Sequence, residues 1–115
     1  MGKYKPIIIF IGILFFVSLA NAEVQVKDYA RLKDTAWFKI YINGVGAGFE
    51  RVNAYLNEVG RPPLYCQPQK LTLTAEDYLN IIQDSIRKHK GTIKLNYPVE
   101  MILLQRLMEK FPCKK

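Results

Sequence analysis

The sequence predicts a small all-α domain, a bundle of three to four helices with one disulfide, that follows a cleaved signal peptide. Three observations support this prediction. A short apolar run with a basic flank opens the chain, apolar residues recur at helical spacing in three later stretches, and both cysteines lie after the apolar run. Removing residues 1–22 from the 115 leaves 93, which fits a single domain with one core.

Residues 1–22 contain the three parts of a secretory signal in the expected order. Lys3 and Lys5 supply the positive flank, residues 7–19 the apolar run, and residues 20–22 (Ala-Asn-Ala) the small-x-small cleavage site. The apolar run has 13 residues, whereas a membrane-spanning helix needs about 20, so cleavage is favoured over a stable membrane anchor. We therefore expect export across the inner membrane to the periplasm.

The exported part of the chain is basic. The formal charge is +7, and it falls to +5 when two lysines leave with the signal. Excess positive charge raises encounter rates with anionic surfaces or acidic proteins, or it serves solubility alone. The cationic residues are scattered and the compartment lacks nucleic acid, so we expect no nucleic-acid partner.

The first helix follows a segment, residues 23–36, that has no sustained period and is predicted to be an exposed lead-in. After Asp34, a suitable N-cap, helical periodicity predicts a helix that ends before Gly60 and two prolines. The domain is therefore predicted to comprise residues 37–113. The apolar positions of the first helix are Trp37, Ile40, Tyr41, Val45, Phe49 and Val52.

Glycines and an Asn-Gly pair complicate this first helix. Alternation over residues 39–42, followed by Asn43-Gly44, is a strong hairpin signal, so a two-stranded structure is the alternative for this stretch. Gly44 and Gly48 lie on one helix face, where we expect the missing side chains to let another helix approach closely. A phosphate-binding glycine loop is not expected, because the strand-helix-strand context is absent from the pattern.

Two further helices follow a proline-rich connector, residues 60–71. Thr74 caps the second helix, which ends at Gly91 after a cationic last turn. Pro98 starts the third helix. The predicted inward positions are Tyr78, Ile82 and Ile86 in the second helix and Val99, Ile102, Leu103, Leu107 and Phe111 in the third.

Cys66 and Cys113 are the only cysteines, and both lie in the exported part. An oxidising compartment makes a disulfide between them the default. The bridge would close a loop of about 48 residues and add roughly 4 kcal/mol of stability by the chain-entropy relation. A nucleophilic cysteine is the alternative, and it would leave an odd reactive thiol.

No combination of residues in the sequence predicts catalysis, a bound metal or a cofactor. His89 is the single histidine and lies at a predicted helix end, with no paired carboxylate or nucleophile in the pattern. Ser85 lies within a helix and lacks the context of a nucleophile elbow. Two cysteines and one histidine do not form a zinc-binding spacing. We therefore expect a protein that is not an enzyme and that acts by binding.

Three segments resemble a known family: residues 41–45 (Tyr-Ile-Asn-Gly-Val), residues 65–68 (Tyr-Cys-Gln-Pro) and residues 111–113 (Phe-Pro-Cys). They are similar to the Rap/Tai family of type VI secretion immunity proteins, over residues 37–113. The resemblance implies a small helical domain with one disulfide, a periplasmic location, often a homodimer, and a peptidoglycan amidase effector as the protein partner. The chain departs from the family pattern at residues 46–47, where an acidic residue is common, and at residues 69–71.

The leading expectation is thus a periplasmic immunity-type protein that occludes the catalytic cleft of an amidase effector. Inhibition of this kind needs a rigid scaffold that presents a loop, and the candidate loops are residues 60–65 and 88–97. The alternative is a periplasmic acid-stress chaperone, because those proteins are also small, helical, lysine-rich and stabilised by one disulfide. The candidate partner contacts are Arg61, Tyr65, Lys88, His89, Lys90, Lys94 and Tyr97.

Overall fold

The computed structural model describes residues 23–114, so the predicted signal peptide, residues 1–22, lies outside the described residues. Four helices are found in the described part: α1 (Val26–Leu32), α2 (Ala36–Glu58), α3 (Ala75–Lys88) and α4 (Val99–Lys110). Residues 23–114 contain no strand, and their one strand-like pairing is an isolated antiparallel bridge. The all-α prediction is confirmed. The hairpin alternative is wrong, because the whole Asn-Gly stretch lies within α2.

The lead-in segment is partly buried, whereas the prediction was an exposed segment. Its residues 26–32 form α1, whose outer side is exposed while Tyr29 and Leu32 lie in the core, 5% and 7% exposed. The Tyr29 ring packs edge-on against Phe38, with 5.9 Å between the ring centroids. A helix of seven residues contains too few turns to show a period, so its burial depends on tertiary contacts. The folded domain therefore begins near residue 24 and not at residue 37.

α2 is capped by Thr35 and not by Asp34. Thr35 Oγ1 accepts a hydrogen bond from Phe38 N at 3.3 Å, which satisfies one of the donors left free at a helix start. Phe38 and Ile42 are fully buried, although neither was among the predicted apolar positions of this helix. Of the six predicted positions, Tyr41, Val45 and Phe49 pack against the core, whereas Trp37 and Ile40 are 51% and 73% exposed and Val52 is 44% exposed. The helical period was thus predicted correctly, and half of the predicted apolar positions line the core.

Gly46 lets α3 pack closely against α2. A Cβ at position 46 would lie 2.3 Å from both Cε2 and Cζ of Tyr78, a residue that is 1% exposed. An added Cβ at Gly44 or Gly48 would meet nothing within 4 Å. The prediction that Gly44 and Gly48 receive another helix of the domain is therefore wrong, since Gly46 is the glycine on the core face.

α3 and α4 form where the sequence predicts them. Thr74 Oγ1 accepts from Asp77 N at 3.3 Å, and Asp77 Oδ2 accepts from Thr74 N at 2.8 Å, which is a capping box. Pro98 is the residue immediately before α4. The inner residues of the last two helices are buried as predicted at most positions: Tyr78, Ile82, Val99, Ile102, Leu103 and Leu107.

Cys66 and Cys113 form the predicted disulfide, with their Cα atoms 4.9 Å apart. The two chain segments also meet through their backbones, because Cys66 N donates to Phe111 O at 2.8 Å. The bridge therefore ties the connector after α2 to the end of α4. α2, α3 and α4 pack pairwise around the core that results.

Candidate functional site

Five of the seven predicted contact residues lie together at one end of the molecule. Four of them belong to the α3–α4 loop, which we define as residues 89–98, between the end of α3 and the start of α4, and the fifth is the last residue of α3. Three of them line a cleft of about 520 Å³, and the other two are exposed beside it. The cleft residues are His89, Lys94 and Tyr97, and the exposed neighbours are Lys88 and Lys90.

The other two predicted contacts lie on the connector and do not join this group. Arg61 is exposed, and its backbone N donates to Leu56 O at 2.8 Å. Tyr65 is only 2% exposed, so it is a core residue and not the surface contact that was predicted. Its ring packs against Phe111 at 6.5 Å. Burial, with a smaller contribution from the Glu50 carboxylate, raises the pKa of Tyr65 to about 12.

Hydrogen bonds within the α3–α4 loop fix its first half. Thr92 N and Ile93 N both donate to His89 O, at 3.0 and 3.2 Å, and Thr92 Oγ1 donates to the same carbonyl oxygen at 2.8 Å. Gly91 has a φ of +92°, a left-handed conformation that other residues rarely adopt. The chain therefore turns sharply at Gly91 and is held in that turn.

The N-terminal segment of the domain fixes the second half of the loop. Val26 N donates to Tyr97 O and Lys27 N donates to Leu95 O, each at 2.9 Å. These bonds come from the first turn of α1, where backbone donors have no partner within the helix. The segment predicted to be an exposed lead-in is thus part of the structure that holds the candidate site.

Leu95 is the most exposed apolar side chain of the loop, at 68%, although its backbone carbonyl is held by α1. Tyr97, near the α4 end of the loop, is half-buried, and its hydroxyl accepts a hydrogen bond from Gln105 Nε2 at 2.8 Å. Sequence reasoning missed Leu95, because Ile93, Leu95 and Tyr97 are all apolar or aromatic and the sequence does not indicate which of them the fold leaves exposed. The loop therefore presents an aliphatic side chain on a fixed backbone.

Positive charge predominates around the α3–α4 loop. The acidic residues nearby are paired on their own helices, Asp84 with Arg87 on α3 and Glu109 with Arg106 on α4. The lysines around the loop make no ion pair with any residue from 23 to 114. Their ammonium groups are therefore available to attract an acidic surface of a partner. These lysines are Lys88, Lys90 and Lys94.

Neither a cluster of possible metal ligands nor a helix that could span a membrane is found among residues 23–114. No three His, Cys, Asp or Glu side chains among residues 23–114 come together as possible metal ligands. None of the four described helices is long and apolar enough to cross a membrane. No family model, curated protein or solved structure matches the chain.

Proposed function

We propose that the protein is a periplasmic inhibitor that inserts the α3–α4 loop into the catalytic cleft of a peptidoglycan amidase effector. The observation that carries this proposal is the exposed Leu95 on a loop whose backbone is already fixed at both halves. Inhibition of this kind requires shape and rigidity and no chemistry from the inhibitor.

Rigidity matters because a flexible loop must be ordered when it binds. Fixing the backbone of one residue costs about 1–2 kcal/mol, so ordering even five loop residues would cost roughly 5–10 kcal/mol. In the α3–α4 loop, hydrogen bonds to His89, Leu95 and Tyr97 carbonyls impose that order during folding. Less of the free energy gained from contacts with the partner is then offset by ordering the loop, so the affinity is higher.

Leu95 and the lysines around the loop would have different effects on binding. Full burial of a leucine side chain contributes roughly 1.5–3 kcal/mol, and most of the Leu95 side chain is still exposed. The lysines would instead accelerate association with an acidic rim, an effect that weakens as salt is raised. This end of the molecule is therefore complementary to a partner that has an apolar pocket with an acidic edge.

Two further features support the location and the class of partner. The predicted signal peptide would place the domain where peptidoglycan hydrolases act, and a disulfide such as Cys66–Cys113 persists in oxidising compartments. The resemblance of residues 41–45, 65–68 and 111–113 to type VI secretion immunity proteins favours an amidase effector over other partners.

Co-expression in the periplasm tests the proposal. Cells that produce an amidase effector would be lysed without this protein and protected with it. Leu95→Asp should abolish protection and co-purification of the effector, because it places a charge where an apolar contact is needed. Leu71→Asp is the matched control, since Leu71 is an exposed leucine (40%) on the connector, and it should protect as the native chain does.

Two results would contradict the proposal: lysis undiminished by the native protein with no complex recovered, or full protection by Leu95→Asp. The acid-stress chaperone remains the alternative prediction, and it gives a different result. A chaperone would suppress light scattering by an unrelated client at about pH 2–3, where carboxylates are protonated. An effector inhibitor would not protect such a client.

A further inference from the structure

A second cleft, of about 740 Å³, lies between α2 and the chain segment that follows it. Its lining comes from residues between 50 and 57 on α2 and between 63 and 72 after it, and we call it the connector cleft. Its volume lies within the range of about 300–1,000 Å³ that is usual for small-molecule sites. No residue of the α3–α4 loop lines it, so its role does not depend on the proposed function.

Hydrogen bonds fix the wall of the connector cleft that lies opposite α2. Leu64 N donates to Asn53 Oδ1 at 2.7 Å, which ties the start of this wall to α2. Gln67 Nε2 donates to Leu71 O at 2.6 Å, which holds the later part in a turn. Cys66 lies between these contacts, and its disulfide attaches the wall to the end of α4. A ligand would therefore enter a cleft that is already formed.

Two residues that line this cleft have buried polar atoms without a partner. Tyr65 is 2% exposed, and its hydroxyl makes no hydrogen bond with any residue from 23 to 114. Gln67 Oε1 is also buried and unpaired within those residues, although the amide nitrogen of the same side chain is bonded. Nearly all buried polar atoms in proteins are hydrogen-bonded, so two exceptions at one cleft indicate a bound molecule that supplies the missing bonds.

The charge of the connector cleft restricts the class of ligand. Glu50 is its only charged lining residue, although the exported part of the chain is basic. The Glu50 carboxylate is exposed and makes no ion pair with any residue from 23 to 114. Its Oε1 accepts a hydrogen bond from Tyr78 Oη at 2.8 Å. A negative charge without a cationic partner disfavours an anionic ligand and favours a cationic one.

Hydrogen-bonding capacity identifies the cation. A carboxylate oxygen and an amide oxygen only accept hydrogen bonds, and a phenol oxygen can accept as well. A primary ammonium group has three N–H donors, one for each of Glu50, Gln67 and Tyr65. One carboxylate balances one such charge, whereas it would neutralise only half the charge of a divalent metal ion. Ala54 and Pro63 also line the cleft, where they would contact a short alkyl chain.

We propose that the connector cleft binds a primary ammonium group carried on a short alkyl chain. The Glu50 carboxylate neutralises its charge, and Gln67 Oε1 and Tyr65 Oη accept its remaining hydrogen bonds. The group belongs either to a small free amine or to a lysine side chain of a peptide, because both present the same donors and the same chain.

Titration with pentylamine, followed by ¹H–¹⁵N correlation spectra, tests the proposal on protein recovered from the periplasm of cells that express the full chain. We expect saturable shift changes at residues 63–72 and a dissociation constant on the order of 1 mM, which is usual for so small a ligand. The trimethylammonium analogue keeps the charge and the chain but has no N–H donor, so it should bind roughly tenfold more weakly. The N-acetyl analogue has no charge and should not bind.

Three variants separate ligand binding from stability. Glu50→Gln should weaken pentylamine binding roughly tenfold and leave Tm nearly unchanged, because the new amide oxygen can still accept from Tyr78 Oη. Glu58→Gln is the matched control, an exposed carboxylate of α2 outside the cleft, and it should bind as the native protein does. Tyr65→Phe should weaken binding without lowering Tm, since the hydroxyl has no hydrogen bond to lose within the fold.

A short peptide with blocked ends and one central lysine distinguishes the two sources of the ammonium group. If it produces the same shift changes as pentylamine, the cleft accepts a lysine side chain, and if only pentylamine does so, the ligand is a free amine. The proposal would be overturned by an absence of shift changes with either probe or by equal binding of the trimethylammonium analogue. Equal weakening by Glu50→Gln and Glu58→Gln would also overturn it, because binding would then reflect net charge alone.

Discussion

The packing of α3 on α2 depends on the absence of a side chain at Gly46, and Gly46→Ala tests that dependence. The new Cβ would lie 2.3 Å from the Tyr78 ring, whereas carbon atoms prefer about 3.5–4.0 Å, so the ring must move by more than about 1 Å. Overpacking of this kind costs about 1–3 kcal/mol. The movement also disturbs the 2.8 Å hydrogen bond from Tyr78 Oη to Glu50 Oε1, which contributes about 1 kcal/mol.

Replacing a helical glycine by alanine otherwise stabilises a helix by about 1 kcal/mol, so the net effect of Gly46→Ala is a loss of about 2 kcal/mol. Gly48→Ala is the matched control, because its Cβ enters open space and only the helical gain remains. For a domain of this size, about 1 kcal/mol corresponds to roughly 4–8 °C in Tm. We therefore expect Tm to fall by roughly 8–16 °C in Gly46→Ala and to rise by roughly 4–8 °C in Gly48→Ala.

Thermal unfolding followed by far-UV circular dichroism measures both variants at the same protein concentration, because Tm can depend on concentration. The opposite signs are the decisive result, since both substitutions have the same intrinsic helix propensity. If Gly46→Ala raised Tm as much as Gly48→Ala does, the close approach of Tyr78 to α2 would be refuted.

Three other variants test the disulfide, a helix cap and a hydrogen bond. Replacing Cys66 and Cys113 by serine should lower the free energy of unfolding by roughly 4 kcal/mol in urea, as the closed loop of about 48 residues requires. Hydrogen bonds from the Thr74 backbone and hydroxyl lower the pKa of Asp77 below its usual 3.8, so the carboxylate stabilises the fold above that pH and less as the pH falls through the lowered value. Asp77→Asn should therefore make Tm less sensitive to acid below about pH 4 than it is in the native protein. Tyr78→Phe should cost about 1 kcal/mol in the same urea titration, with no change in the slope m.

Local signals were sufficient to predict α3 and α4. The Thr74 cap, its Asp77 partner and the Gly91 turn are all encoded within a few residues of the helix they bound. The inner face of α3 was also predicted, because one side of that helix is distinctly more apolar than the other. Helices whose ends are determined by residues close to them in the chain can therefore be predicted from the sequence alone.

α1 and the orientation of α2 depend on contacts between distant segments. α1 has only seven residues, and it is fixed by burial of Tyr29 and Leu32 against other helices. α2 carries apolar residues on both sides, so its period was clear while the choice between Phe38 and Trp37 as the core residue was not. That choice is made by Gly46, which lets only one side approach α3.

The candidate site was also predictable only in part. The cationic end of α3 and the proline before α4 predicted a loop near the right residues. The rigidity of the loop was not predictable, because the Leu95 and Tyr97 carbonyls accept hydrogen bonds from α1, which lies about 70 residues earlier in the sequence. Tyr65 was misplaced for a similar reason, since its burial depends on Phe111 and on the disulfide next to it.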